Sequence, residues 1–149
     1  MGFLVAREAA REVLLEGFLH PKNKDPLPFQ REIARRQKIS EEKLEKSGKE
    51  ISFLDRGFFD MIAYCYHFGI QDLPEETNIN AHYDGVFVLE MLPKFEDDGV
   101  RIEDGMNETM EIYRLILEEY QKRSIPLIFV PVMPIRERTE FIVAKAASM

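Results

Sequence analysis

A chain of 149 residues that is 45% hydrophobic and 32% charged has the size and apolar content of one self-sufficient domain, which excludes disorder, fibres and stapled miniproteins. Twenty Lys and Arg against 27 Asp and Glu leave a formal charge of −7, which argues against a nucleic-acid partner or an anionic-membrane coat. The lone Cys65 excludes an internal disulfide, and with no apolar stretch near the ~20 residues of a membrane span and no signal peptide, a cytoplasmic protein is expected.

Phe3-Leu4-Val5-Ala6 predicts a short strand, and the stretch from Arg7 to Glu16, apolar at helical spacing up to Gly17, predicts a helix directly after it. His20-Pro21 to Asp25-Pro26 marks a loop before a charged, helix-favouring segment from Leu27 to Ser47, anchored by Phe29, Ile33 and Leu44. Ile51-Ser52-Phe53-Leu54 predicts a second strand ending in Asp55-Arg56-Gly57. Phe58 to Phe68, apolar or aromatic on nearly every side, predicts a buried helix. Gly85 to Leu89 and Leu127 to Val130 are continuous apolar runs, as expected of parallel strands covered on both faces. Between them, Asn107 to Arg123 repeats Met110, Tyr113, Leu117 and Tyr120 at helical spacing, with Asn107 placed to cap the start and Glu108 in the first turn. Met133-Pro134 opens a last helix from Ile135 to Ala147. This alternation predicts an α/β fold in one domain spanning 1–149, a three-layer sandwich around a mainly parallel sheet.

Open parallel sheets bind ligands beyond the carboxyl ends of their strands. There the chain places Arg7, Glu8 and Arg11, then Asp55 and Arg56, then Glu90 and the loop from Lys94 to Asp104, and finally Arg136 and Arg138. Carboxylates and guanidinium groups on one rim are the set that phosphoryl transfer requires: one accepts a hydroxyl proton, the other neutralises phosphate charge. Solvated loop charges and ion pairs are the plainer reading of the same residues. His20, His67 and His82 lie far apart without metal-ligand spacing, so no metal site is expected, and His67 and Cys65 read as core residues. Arg35, Arg36 and Lys38 read as a solvated helix face.

Five motifs run in one order over nearly the whole chain: Glu8-Ala9-Ala10-Arg11-Glu12, Phe53-Leu54-Asp55-Arg56-Gly57, Tyr83 to Leu89, Asp98-Gly99-Val100-Arg101-Ile102-Glu103-Asp104, and Glu137 to Ile142. With them the chain resembles the AAA-type predicted ATPase/kinase family of P-loop NTPases, and is similar also to nicotinamide-riboside and deoxynucleoside kinases. The resemblance implies phosphoryl transfer or NTP hydrolysis, ATP and Mg2+ as cofactors, and a small-molecule nucleotide or nucleoside as partner. It implies that Glu8 holds a substrate hydroxyl or contacts magnesium indirectly, that Asp55 is the general base or a metal-facing carboxylate, and that Arg56 steadies phosphate oxygens. The 98–104 stretch corresponds to a lid from which Arg101 swings inward on closure. Arg138 would flank the adenine, with Arg136 and Asp104 as further nucleotide-binding candidates.

Proteins of that family begin with a strand and a Gly-rich loop ending Gly-Lys-Ser/Thr, whose N–H groups cradle phosphates. None of the eight glycines here builds that loop, and the sequence reads as starting at the family's second strand. The expectation is impaired ATP hydrolysis by this chain alone, through a late start or a real variation. In the family's strand order 2-3-1-4-5 the first strand is central, so without it on the order of ten backbone groups go unpaired, at ~1–3 kcal/mol each if buried. The sheet is then expected to close by direct pairing, to fill the slot with another segment, or to borrow a strand from a second copy. A homo-oligomer follows from the last route. The alternative function is a non-catalytic interaction or regulatory module that self-associates through its open edge.

Overall fold

In the computed structural model, residues 3–17, 25–91 and 105–149 are described. The order of elements is β1 (Leu4–Ala6), α1 (Ala9–Leu15), α2 (Leu27–Lys46), β2 (Ser52–Leu54), α3 (Phe58–His67), a 3-10 turn at Glu75–Thr77, β3 (Val86–Leu89), α4 (Met106–Lys122), β4 (Leu127–Val130) and α5 (Ile135–Ala146). Strands alternate with helices as the apolar runs predict, giving an α/β fold.

Both strand pairs are parallel. β1 lies on β2 with Leu4 opposite Ser52 and Ala6 opposite Leu54. β3 lies on β4 with Val86 opposite Leu127 and Leu89 opposite Val130. Among the described residues no ladder joins the two pairs, so there are two two-stranded sheets and direct closure into one sheet does not occur. Nor are the strands covered on both faces. Val5 is 67% exposed and Phe129 52% exposed, because a two-stranded ribbon leaves each strand an open edge over which large side chains meet solvent.

Burial instead concentrates on helix contacts. α3 packs against α4 and α2, and α2 against α1. Phe58 through Cys65 are all buried, the consequence of a helix that is apolar nearly all round. The ring of Phe59 meets Tyr83 and Tyr120 edge-on at centroid distances of 5.6 and 5.7 Å, and the Arg123 guanidinium covers it at 4.0 Å. Burial pushes the Cys65 thiol up to about 12, so it is an inert core group, as its sequence setting suggests. One boundary differs from expectation. Gly105, at φ 95°, precedes the first residue of α4, and Asn107 lies inside the first turn instead of capping it. Glycine reaches that left-handed angle without the Cβ clash that asparagine would meet, so it turns the chain into the helix earlier.

Candidate functional site

β1 and β2 run side by side in the same direction, so the residues that follow them emerge together. The N–H of Asp55 donates to the Ala6 carbonyl at 2.9 Å, carrying the ladder one step past the strands. Just beyond, Arg56 Nε donates to Glu8 Oε1 at 3.1 Å. Arg56 Nη1 also lies 3.6 Å from Asp60 Oδ1, and its guanidinium stands over the Tyr64 ring at 5.5 Å. Two of the expected site residues, Glu8 and Arg56, are thus one contact apart although 48 positions separate them.

Arg56 has φ 73°, in the left-handed region that a side chain with a Cβ adopts at a cost of about 1–3 kcal/mol. Its surroundings hold it there. Gln37 Nε2 donates to the Arg56 carbonyl at 3.0 Å and to Glu41 Oε1 at 2.8 Å. That same Glu41 oxygen accepts the Tyr83 hydroxyl at 2.6 Å, and the Tyr83 oxygen accepts the Phe58 N–H at 2.7 Å. Burial pushes the Glu41 carboxyl up and, with Glu41 beside it, pushes the Tyr83 hydroxyl up as well. Asp60 Oδ2 accepts the Gly57 N–H at 3.0 Å and the Tyr120 hydroxyl. Burial followed by the Asp60 charge raises the Tyr120 hydroxyl. Gly57 must be glycine, since a Cβ would run into the Tyr120 hydroxyl and the Tyr83 ring.

Glu8, Gln37, Arg56 and Asp60 border a recess between α1, α2 and α3. Its polar wall includes Glu8, Arg56, Asp60 and Gln30, and its apolar wall includes Ile33 and Met61. Asp60, Gln30, Gln37 and Tyr64 did not figure among the expected site residues. Asp60 had a local signal, sitting three positions after Gly57 at capping-box spacing. Gln30 and Gln37 had a fainter one: polar residues on the α2 stripe that buries Phe29, Ile33 and Ala34.

The other expected residues fall elsewhere. Asp55 is exposed and does not line the recess. Arg136, exposed on the first turn of α5, donates from Nε to Glu140 at 3.0 Å, and Arg138 is half-buried on the same helix. Arg101, Asp104 and the 98–104 stretch lie outside the described residues. His67 packs between α3 and α4, with Nε2 2.9 Å from Glu108 Oε1, so its reading as a satisfied core residue holds on that nitrogen. Arg36 pairs with Glu32 and Glu16, and Arg35 with Glu32, an ion-paired helix face.

A nucleoside triphosphate needs a run of free backbone N–H groups. The glycine that lines the recess, Gly57, has its N–H taken by Asp60 and its open side closed by Tyr83 and Tyr120. The recess itself therefore offers no phosphate cradle. Among the described residues no group of three His, Cys, Asp or Glu is placed to hold a metal ion, and no helix is long and apolar enough to cross a membrane.

No match to the chain was found among curated proteins or among solved structures. A family model described as an AAA domain matches residues 1–138, taking in the first four motifs whole and the first two residues of the fifth. With the two parallel strand pairs and the rim where Glu8 meets Arg56, that span makes the chain a member of the AAA domain family, of the P-loop NTPase type.

Proposed function

We propose that the recess binds the phosphoryl acceptor of a P-loop kinase-like domain, so that the chain carries the acceptor side of nucleotide-dependent phosphoryl transfer. The observation that supports this most is the contact of Glu8 with Arg56 on the recess wall, past the carboxyl ends of neighbouring parallel strands. Glu8 offers a carboxylate oxygen to an acceptor hydroxyl and is oriented by the guanidinium that Arg56 holds under backbone strain. Arg56 in turn neutralises charge next to that hydroxyl. ATP with Mg2+ would supply the phosphoryl group. Asp55, exposed at the rim, and Arg101, Asp104, Arg136 and Arg138 remain candidates for contacts on that nucleotide side.

Calorimetric titration of the full chain with a panel of nucleosides tests the reading. Saturable binding that Glu8→Gln and Arg56→Lys each weaken at least about tenfold supports it; absence of binding by every nucleoside overturns it. A parallel titration with Mg-ATP reports whether any triphosphate affinity resides in the same chain.

A second reading, a non-catalytic module that self-associates, is favoured by one observation. The two strand pairs do not join among the described residues, and Val5 on β1 is 67% exposed. Light scattering at micromolar concentration decides it, because a strict monomer removes strand borrowing between copies.

A further inference from the structure

Two phenol hydroxyls from outside the β1–β2 half of the molecule meet at the turn that carries Arg56. Tyr83, three positions before β3, accepts the Phe58 N–H at 2.7 Å and donates to Glu41 Oε1 at 2.6 Å. Gln37 donates to that same Glu41 oxygen and to the Arg56 carbonyl. Tyr120, on α4, donates to Asp60 Oδ2, which also accepts the Gly57 N–H, while Asp60 Oδ1 lies 3.6 Å from Arg56 Nη1. The two rings stand 6.1 Å apart, and both hydroxyls close on the bare side of Gly57. Phenylalanine at either position would pack against Phe59 as well as tyrosine does, so ring burial does not account for the hydroxyls. Their bonds end on Arg56-Gly57-Phe58 or on the side chains that hold that turn. No ladder joins the two strand pairs among the described residues, so side chains, not a shared sheet, connect the halves here.

We propose that Tyr83 and Tyr120 are positioning residues that aim the Arg56 guanidinium at Glu8, so that the rim is assembled only while α4 and the segment before β3 are docked on α3. This rests on the acceptor reading of the rim and deepens it by naming what places its cation. The physical link is the backbone angle. At φ 73° the Arg56 Cβ leaves the chain in a direction that the ordinary negative-φ regions do not offer, and such an angle persists only where the surroundings over-determine it. Tyr83 fixes the Phe58 N–H and, through Glu41 and Gln37, the Arg56 carbonyl. Tyr120 fixes Asp60 and, through it, the Gly57 N–H and the guanidinium itself. With either hydroxyl gone, the carboxylate it holds is free to rotate, Arg56 relaxes to negative φ, and its side chain swings off Glu8.

The test reads Arg56 directly by NMR in the full, ligand-free chain, from its backbone Cα and Cβ shifts, which report φ, and its Nε–H shift, which reports the Glu8 bond. Tyr83→Phe and Tyr120→Phe keep both rings. Each is expected to move the backbone shifts out of the left-handed range and the Nε–H signal toward that of a solvated arginine. Glu8→Gln is expected to move the Nε–H signal alone, and Tyr66→Phe, on an exposed ring facing Lys122, neither. The proposal is overturned if either phenol variant leaves both Arg56 signals in place, a fall in melting temperature alone marking that hydroxyl as structural, or if Tyr66→Phe moves them as far. Titration with the nucleoside panel separates the two levels. Where a nucleoside binds, each phenol variant is expected to weaken it at least about tenfold, as Arg56→Lys does; unchanged binding overturns the positioning role and leaves the acceptor reading standing. Where no nucleoside binds but the Arg56 signals move, the acceptor reading fails and the aiming of Arg56 by the two tyrosines stands.

Discussion

Around β1 and β2, helices α1, α2 and α3 enclose Val13, Ala34 and Phe58, each 0% exposed. Around β3 and β4, α5 buries no residue, and Phe129 stands 52% exposed although it is paired with the buried Val88. The ladders themselves are alike, parallel and three or four residues long. What separates the halves is the helices: α1, α2 and α3 each bury residues of their own and α5 buries none, although Val88 and Val130 of the second strand pair are buried and no strand residue of the first is. Such short ladders contribute few hydrogen bonds, each worth about 1 kcal/mol net, whereas one enclosed aromatic side chain contributes more by burial alone. The part of the molecule able to hold a strained arginine in place is therefore the part with stacked helices.

The strongest way to break this comparison is a pair of truncations. Phe58→Ala, at a fully enclosed position, is expected to cost about 3–5 kcal/mol in urea unfolding, and Phe129→Ala less than about 1 kcal/mol. Equal losses would show that both halves contribute alike. Next in size is Tyr120→Phe. It removes the hydroxyl that donates to Asp60 across the contact between α4 and α3, and a loss of about 1–3 kcal/mol is expected, read from the same unfolding curves.

Acidity sharpens the comparison because the buried Glu119 and the half-buried Glu41 shift oppositely. Burial raises Glu119, but hydrogen bonds from Lys122 and Arg123 outweigh it and hold the group below its ordinary 4.5. Its stabilisation is full above the unfolded value and disappears as pH falls through the folded one. Glu41 is raised by burial, with the Tyr83 and Gln37 hydrogen bonds offsetting only part of that. Its folded value exceeds its unfolded one, so stability falls as pH rises from 4.5 through the folded value. In urea midpoints collected from about pH 3 to 8, Glu119→Gln is expected to flatten the acid limb and Glu41→Gln the decline above it.

The smallest effect belongs to Glu32. Hydrogen bonds from Arg35 and then Arg36 lower its carboxyl to about 2. The Arg35 partner is exposed, so screening leaves Glu32→Gln a cost of about 0.5 kcal/mol, which shrinks further in 1 M salt on thermal melting. A larger, salt-insensitive loss would place this helix face in the core.

Elements were legible in the chain because their signals are local. Short apolar runs, broken at Ser52 in β2, marked the four strands, and the all-round apolar stretch after Gly57 marked α3 as buried. Parallel pairing followed from the same runs. Their enclosure did not, since Val5 and Phe129 have the same composition whether or not a helix lies over them. Asn107 had the right chemistry for a cap, but the choice of Gly105 depended on the backbone angle at which the chain enters α4.

The site divides the same way. Glu8 and Arg56 were legible because each directly follows a strand, and adjacent parallel strands bring such positions together. Asp60, Gln30 and Gln37 were not, because a polar residue on a helix stripe reads identically whether it faces water, a partner or a recess. By itself the sequence determined the order and type of the elements, the chemistry available at the strand ends and the family. Only the tertiary structure decided which of those groups meet, that Asp55 faces solvent while Asp60 is enclosed, and that the buried Gln30 amide has no partner among the described residues. Local pattern governs what depends on neighbours a few residues away; contacts across tens of residues depend on packing that no single segment encodes.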